Sequence, residues 1–264
     1  MSEPAQVSIL RADEEDAEVL AEISKRAFDT DIEAGSPEEG GPPGYDTPEG
    51  QINIMKYLDC FYIFLGESVV GGVYVGSVGE EHRVLERIFV DPDLHRRGIG
   101  TRAMELAMEE YPEAKLWTLG TPEWNVRTSN FYEKLGFTQV GWDYGHPSWR
   151  GIWCEKVLNP DDPLVMKAIV DLKDGMSDFD VEGEIVEKSV ARQVRSKRRR
   201  WLTLSVANAG LVDDSGRIVL VMWNEQIKHA KVGDRVRIES GYVNSFRGVT
   251  QLNVGRGGRL IVLL

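Results

Sequence analysis

The sequence predicts two domains in tandem: an α+β domain over residues 1–160, with a mixed, mostly antiparallel sheet flanked by helices, and an all-β five-stranded barrel over 161–264. Three observations predict this. Strand-like and helix-like periodicities alternate as far as Val157. A breaker-rich stretch, Asn159-Pro160-Asp161-Asp162-Pro163, then interrupts the pattern and is followed by strand-like runs. Charge differs between the two ends of the chain as well. From Val181 to Leu264 there are 15 Lys+Arg against 8 Asp+Glu, net +7; the remainder has 16 against 35, net −19. Such asymmetry points to two domains with different partners, cationic for the first and polyanionic for the second.

In the first domain, Val7 to Arg11 reads as a short strand. Asp13 to Phe28 reads as a helix, because Ala17, Leu20, Ile23 and Ala27 fall near one face and Asp13 can cap it. Asp29 to Gly50 is acidic and rich in Gly and Pro, a loop of a length that is often either functional or disordered. Gln51 to Leu58 reads as a short helix. Phe61 to Leu65 and Val69 to Val78 read as strands joined at Gly66-Glu67-Ser68.

The domain is organised around Leu85 to Thr101. Apolar and β-branched residues run from Leu85 to Val90 and stop at Asp91-Pro92. A helix follows, with Ile99, Ala103, Leu106 and Ala107 on one face. Between strand and helix lies Arg96-Arg97-Gly98-Ile99-Gly100-Thr101. The first amides of a helix have no intrahelical partners and attract anions, and the glycines let a phosphate approach the backbone. Read alone, this is also a glycine-rich corner with two solvated arginines. The block resembles motif A of the GNAT N-acetyltransferases, V-x-P-x-x-[Q/R]-x-x-G-x-[G/A]. Val90, Pro92, Gly98 and Gly100 match, and His95 stands where Gln or Arg is usual. The resemblance implies acetyl-CoA as cofactor, with its pyrophosphate on the loop from His95 to Thr101 and its pantetheine along Ile88, Phe89 and Val90.

Lys115 to Leu119 is another strand. Trp124 to Phe137 then reads as a helix from Val126 to Leu135 closed by Gly136. Asn125-Val126-Arg127-Thr128 and Phe131-Tyr132-Glu133-Lys134-Leu135-Gly136-Phe137 resemble the second GNAT signature, N-x-R-A-x-x-F-Y-E-K-L-G-F, with Thr128 in place of the alanine. The resemblance places Tyr132 beside the acetyl-CoA sulfur, as proton donor to the leaving thiolate, and Asn125 on the cofactor. Glu86 is the candidate base for the acceptor amine, and equally an ordinary half-exposed strand glutamate. Strands Phe137 to Tyr144 and Trp149 to Val157 complete the sheet. The resemblance covers Val7 to Leu158.

In the second domain the strand-like runs are Val181 to Val190, Trp201 to Ala207, Arg217 to Trp223, Val232 to Ile238 and Val249 to Val254. A hairpin signal, Asp213-Asp214-Ser215-Gly216, joins the second and third. Glu225 to Ala230 is the one helical piece, after the third strand. This is the element order of an OB-fold barrel. Asp171 to Met176, Trp223-Asn224-Glu225-Gln226, Val232-Gly233-Asp234 and Gln251-Leu252-Asn253-Val254-Gly255-Arg256 resemble archaeal single-stranded-DNA-binding proteins and replication-protein-A domains. The resemblance implies binding of single-stranded DNA or RNA. Single strands are held by basic grooves with aromatic platforms. Lys197, Arg198, Arg199, Arg200 and Trp201 supply both, and Trp223, Tyr242 and Phe246 are further platforms.

No apolar run approaches the length of a membrane span, and the acidic N-terminus does not read as a signal peptide. Cys60 and Cys154 sit inside strand-like runs and, with four scattered His, give no metal spacing; free thiols in a cytoplasmic protein are expected. Three functions remain open. One is an acetyltransferase acting on a lysine of a basic, nucleic-acid-associated protein. Another is an acetyltransferase for a small amine or a nucleic-acid base. The third is a nucleic-acid-binding protein with a degenerate CoA-sensing domain.

Overall fold

The computed structural model describes residues 6–146, 149–195, 201 and 203–264. It divides into two compact units, residues 1–138 with 155–162, and residues 139–154 with 163–264.

The first unit begins with β1 (Val7–Arg11), α1 (Ala17–Asp29) and α2 (Pro48–Met55). Asp13 caps the turn before α1, accepting from the Glu15 amide. Thr47 caps α2, with Pro48 at the first helical position, where a missing N–H costs nothing. The strands β2 (Asp59–Leu65), β3 (Ser68–Val78) and β4 (His82–Val90) follow, then α3 (Ile99–Glu109), β5 (Leu116–Pro122) and α4 (Val126–Lys134). Strands β1 to β4 are antiparallel neighbours in sequence order, and β5 adds to β4 in parallel. The sheet is therefore mixed and mostly antiparallel, as expected. Leu20, Ile23 and Ala27 of α1 bury against Cys60, Tyr62, Tyr74 and Phe89 of the sheet.

Two irregularities in β4 position the site. Opposite the consecutive pair Tyr74 and Val75 lie Arg87 and Leu85, so Glu86 is an extra residue in a β-bulge. The parallel pairing with β5 runs from His82–Leu116 to Leu85–Leu119 and stops at the bulge. Beyond it, β4 pairs with β3 alone as far as Val90. Glycines on β3 make this course passable. A Cβ on Gly71 would lie 2.1 Å from the Phe89 carbonyl, and one on Gly72 would lie 2.7 Å from the Phe89 ring.

The second unit contains the end of β6 (Thr138–Asp143) and the start of β7 (Gly151–Val157), then β8 (Ser177–Lys188), β9 (Arg192–Arg195), β10 (Thr203–Val212), β11 (Arg217–Trp223), α5 (Glu225–His229), β12 (Arg235–Phe246) and β13 (Val249–Leu263). The pairings β8–β10, β10–β11, β11–β13, β13–β12 and β12–β8 close a five-stranded barrel. Its interior is filled by Val181, Ile185, Leu211, Leu220, Met222, Val236, Ile238 and Leu252. Lys188 donates to the carbonyls of Ile227 and Ala230 and so satisfies the C-terminus of α5, at 2.9 and 2.8 Å.

Three strands of this unit differ from the sequence expectation. β10 runs to Val212 and β12 runs to Phe246, through residues that read as breakers. In β12 the chain bulges at Ser240, whose φ of 51° is left-handed, and the Asp180 carboxylate accepts its amide. The ladder then resumes at Gly241. β13 continues past Val254 to pair at Ile261–Leu263 with Gly141–Asp143 of β6. Trp153, fully buried, donates its indole N–H to the buried Glu239 carboxylate at 2.8 Å, and Arg237 lies 3.7 Å away on the same oxygen.

Trp153→Phe should therefore destabilise the second unit by about 1–3 kcal/mol, the usual cost of leaving a buried acceptor short of a donor. Urea unfolding followed by circular dichroism measures it. An unchanged midpoint would mean that the other partners of Glu239 satisfy it without the indole.

Candidate active site and nucleic-acid face

A cavity of about 760 Å³ opens in the first unit. One wall is the freed end of β4, with Ile88, Phe89 and Val90. The next is the loop into α3, with His95, Arg96, Gly98, Ile99, Gly100 and Thr101. Phe131 and Tyr132 of α4 form a third, and Phe28, Thr30, Asp31 and Glu33 close the side below α1.

The loop is set by local chemistry. Arg26 of α1 forks onto both oxygens of Asp91 at 2.9 and 3.0 Å and reaches Asp93 at 2.9 Å. The Asp91 amide donates to the Val70 carbonyl, which ends β4 firmly. His95 donates from Nε2 to the Val90 carbonyl at 2.8 Å, a bond that fixes its tautomer. Arg96 and Gly98 both take left-handed backbone, with φ of 62° and 78°. Gly98 is the N-cap of α3; no side chain caps this terminus and no acidic residue stands in the first turn. A Cβ built on Gly98 meets nothing within 4 Å, so the backbone faces open space. Uncapped amides, no acidic side chain and an open approach are what an anion at a helix N-terminus requires.

Ten of the residues singled out in the sequence line this cavity: Ile88, Phe89, Val90, His95, Arg96, Gly98, Ile99, Gly100, Thr101 and Tyr132. Arg97, Asn125 and Glu86 do not. Arg97 is exposed on the outside of the loop. Asn125 is buried as the N-cap of α4, accepting from the Thr128 amide at 3.2 Å and donating to Asp31 at 3.1 Å. Glu86 is half-buried at the bulge. A Cβ on Gly76 would lie 3.5 Å from its Cγ, so the glycine makes its room. Tyr132 is buried between Phe131 and Phe137, its ring centroid 5.1 and 6.1 Å from theirs.

Asp31 and Arg127, which sequence reasoning missed, tie the turn after α1 to α4. Arg127 donates to Asp31 at 2.6 Å and to Thr30 at 3.2 Å. Burial pushes the Asp31 carboxyl above its usual range, while Arg127, the Asn125 amide and His95 pull it back. The two lie 96 positions apart, and no local pattern joins them.

On the barrel, Tyr242, Asn244 and Phe246 alternate with buried Val243 along β12 and face outward. Tyr242 is opposite Asn253 of β13, which donates to Asn244 at 3.0 Å. On the neighbouring β11, Leu220 and Met222 point into the core, so Trp223 lies on the outer side. Trp201 is exposed just before β10. Lys197, Arg198, Arg199 and Arg200 lie outside the described residues. Among the described residues, no group of His, Cys, Asp and Glu could hold a metal ion, and no helix is long and apolar enough to cross a membrane.

Residues 26–137 match the model of the acetyltransferase (GNAT) family, and residues 172–262 match that of Ssb-like single-stranded DNA binding proteins, OB fold. The chain joins a GNAT acetyltransferase domain to an Ssb-like OB domain. The single-stranded DNA binding protein Ssb of Saccharolobus solfataricus is 36% identical over 84 residues, covering 32% of this chain and 55% of the relative. The uncharacterized protein YrkN of Bacillus subtilis is 30% identical over 115 residues, covering 43% of this chain and 62% of that one. The chain thus spans less than two thirds of either relative. Among solved structures, the PaiA N-acetyltransferase of Thermoplasma acidophilum in complex with coenzyme A is similar, with 18% identity and a TM-score of 0.47. That match covers 58% of this chain and 99% of that one.

In the GNAT domain Asn125 does two structural jobs at once. Asn125→Ala should cost about 0.5–2 kcal/mol for the cap alone. Asn125→Asp keeps the cap acceptor but sets a carboxylate beside Asp31, so it too should destabilise. Thermal unfolding of both variants checks this. A fully stable Asn125→Asp would show that Arg127 carries the Asp31 interaction alone.

Proposed function

We propose that the chain transfers the acetyl group of acetyl-CoA to a primary amine, the side chain of a lysine on a basic protein, while its barrel holds it on single-stranded nucleic acid. One observation carries the reading. The open edge of β4 leads, within one cavity, from Ile88 to the uncapped amides of α3, with Tyr132 in the wall.

Bound acetyl-CoA would supply an acyl group activated as a thioester. The loop amides from Gly98 onward would hold its phosphates, and the backbone of Ile88 to Val90 would pair with its amide groups. Tyr132 Oη then holds the proton that the departing sulfur needs, since a phenol keeps its proton near neutrality. A lysine amine is charged at neutral pH, with an unperturbed pKa of about 10.4. In this reading Glu86, at the bulge before the β4 wall of the cavity, takes its proton directly or through water. Glu33, on the α1 side of the cavity, suits a cationic acceptor.

Calorimetry on Gly98→Glu should show loss of CoA binding by a folded protein, because a carboxylate would occupy the anion site. Tyr132→Phe should keep CoA binding and lower turnover about 10²–10³-fold. Unchanged affinity in the first variant, or full turnover in the second, removes the corresponding assignment.

For the barrel, fluorescent oligonucleotides titrated with the full chain should bind with a salt slope near −0.7 per neutralised phosphate. Trp223→Ala should weaken binding by about 1–3 kcal/mol with the slope unchanged, if the ring stacks on a base. Failure to bind single strands at low salt would make the barrel a protein-docking module.

A further inference from the structure

On β4, Arg83 and Arg87 each keep one buried guanidine nitrogen without a partner, and Arg87 is the one on the freed end of the strand. It stands between Glu86 and Ile88, opposite Tyr74, and Tyr74 is in turn opposite Cys60, so the three form a row across β4, β3 and β2. Its Nη2 donates to the Pro43 carbonyl at 2.7 Å. Its Nη1 is buried and has no hydrogen-bond partner. Burial pulls its pKa below the ordinary value, and Tyr74, Glu86 and Cys60 oppose that. Two of these three carry no charge near neutrality. Burial pushes the Cys60 thiol up to about 12 and the Tyr74 phenol higher still. The Tyr74 hydroxyl is also spent, donating to Gln51 Oε1 at 2.6 Å.

A guanidinium presents its donors as a planar fork that matches a carboxylate in a bidentate manner. Here one arm meets a neutral carbonyl and the other, buried, meets nothing, an expensive state for a half-buried cation. The group that covers it belongs to a Gly-Pro turn rather than to the packed sheet. Gly40 and Gly44 have φ of 132° and 74°, and the Tyr45 amide closes the turn onto the Pro42 carbonyl. The preceding residues Thr30, Asp31 and Glu33 already border the cavity. Arg87 itself lies on the freed stretch of β4, between the bulge at Glu86 and Ile88, and Ile88 and Phe89 both line the cavity.

We propose that Arg87 anchors the acetyl acceptor, and that the acceptor carries a carboxylate close to its amine, which displaces the Pro43 carbonyl and takes both arms of the guanidinium. This rests on the acetyl-transfer reading above and narrows it. The carboxylate could belong to the acceptor's own terminus or to an acidic neighbour of the acceptor lysine, and the two are separable.

The experiment follows thiol release from acetyl-CoA by the full chain with four acceptors. Nα-acetyl-lysine is compared with Nα-acetyl-lysine amide. A doubly capped Gly-Lys-Asp-Gly peptide is compared with capped Gly-Lys-Asn-Gly. The carboxylate member of one pair should be favoured about 10- to 100-fold in kcat/KM, mostly through KM, the range expected of hydrogen bonds to a charged group. The pair that shows the preference identifies the source. Arg87→Gln should bring that ratio close to one, and Arg87→Lys, which keeps the charge but not the fork, should give an intermediate value. A fold defect would lower both members alike, so the ratio isolates recognition. A ratio near one for both pairs in the unmodified chain, or a ratio preserved in Arg87→Gln, overturns the proposal while leaving acetyl transfer intact. If none of the four amines is acetylated, the acetyl-transfer reading falls and this one with it.

Discussion

At Glu86, β4 carries one residue more than the strand beside it, and its pairing with β5 ends there. Backbone groups normally find partners, so five residues of strand left open on one edge are a costly arrangement unless something else is to pair with them. Much of the first unit serves that arrangement. Gly71 and Gly72 let β4 run close over β3, and Gly76 gives room to Glu86. Arg26 clamps Asp91 and Asp93 and fixes where the strand stops. The left-handed turn at Arg96 and Gly98 then delivers the chain into α3 with its first amides facing outward. The cavity is the space this departure creates.

The barrel solves the edge problem in the opposite way. Its five strands close on themselves, and the fifteen-residue β13 pairs with β11, β12 and, at its end, β6. Residues 139–154 belong to this unit through that last pairing and through Trp153 on Glu239. Arg259 adds to it, 3.6 Å from Asp143 and over the Trp153 ring. The polar groups buried here are paired with one another, which is how charge is tolerated inside a small core. The outer face of β11 and β12 is left to Trp223, Tyr242 and Phe246.

Much of this was legible in the sequence because it is local. The strand–loop–helix from Leu85 to Thr101, the α4 block with Tyr132, and the hairpin at Asp213–Gly216 each announce themselves within a dozen residues, and the strand order of the barrel follows from such signals. What was not legible depends on distant pairs. The bulge at Glu86 exists only relative to β3. Asp31 and Arg127 meet across the cavity, and Asn125, which reads as a cofactor ligand by resemblance, is spent on a cap and on Asp31. The extensions of β12 and β13 run through Ser240, Gly241 and Gly255, where local propensity says stop and neighbouring strands supply the pairing instead. Arg87 gave no signal at all, since an arginine in a strand looks solvated until its burial is known.

If the open edge of β4 is the cofactor groove, it should gain hydrogen bonds when acetyl-CoA is added. Hydrogen–deuterium exchange on the full chain, with and without acetyl-CoA, reads those amides. Exchange should slow in the segments spanning 86–90 and 97–101 together, with the β1–β2 ladder unaffected. Exchange unchanged in both segments at saturating acetyl-CoA would contradict the assignment of this edge and loop as the site.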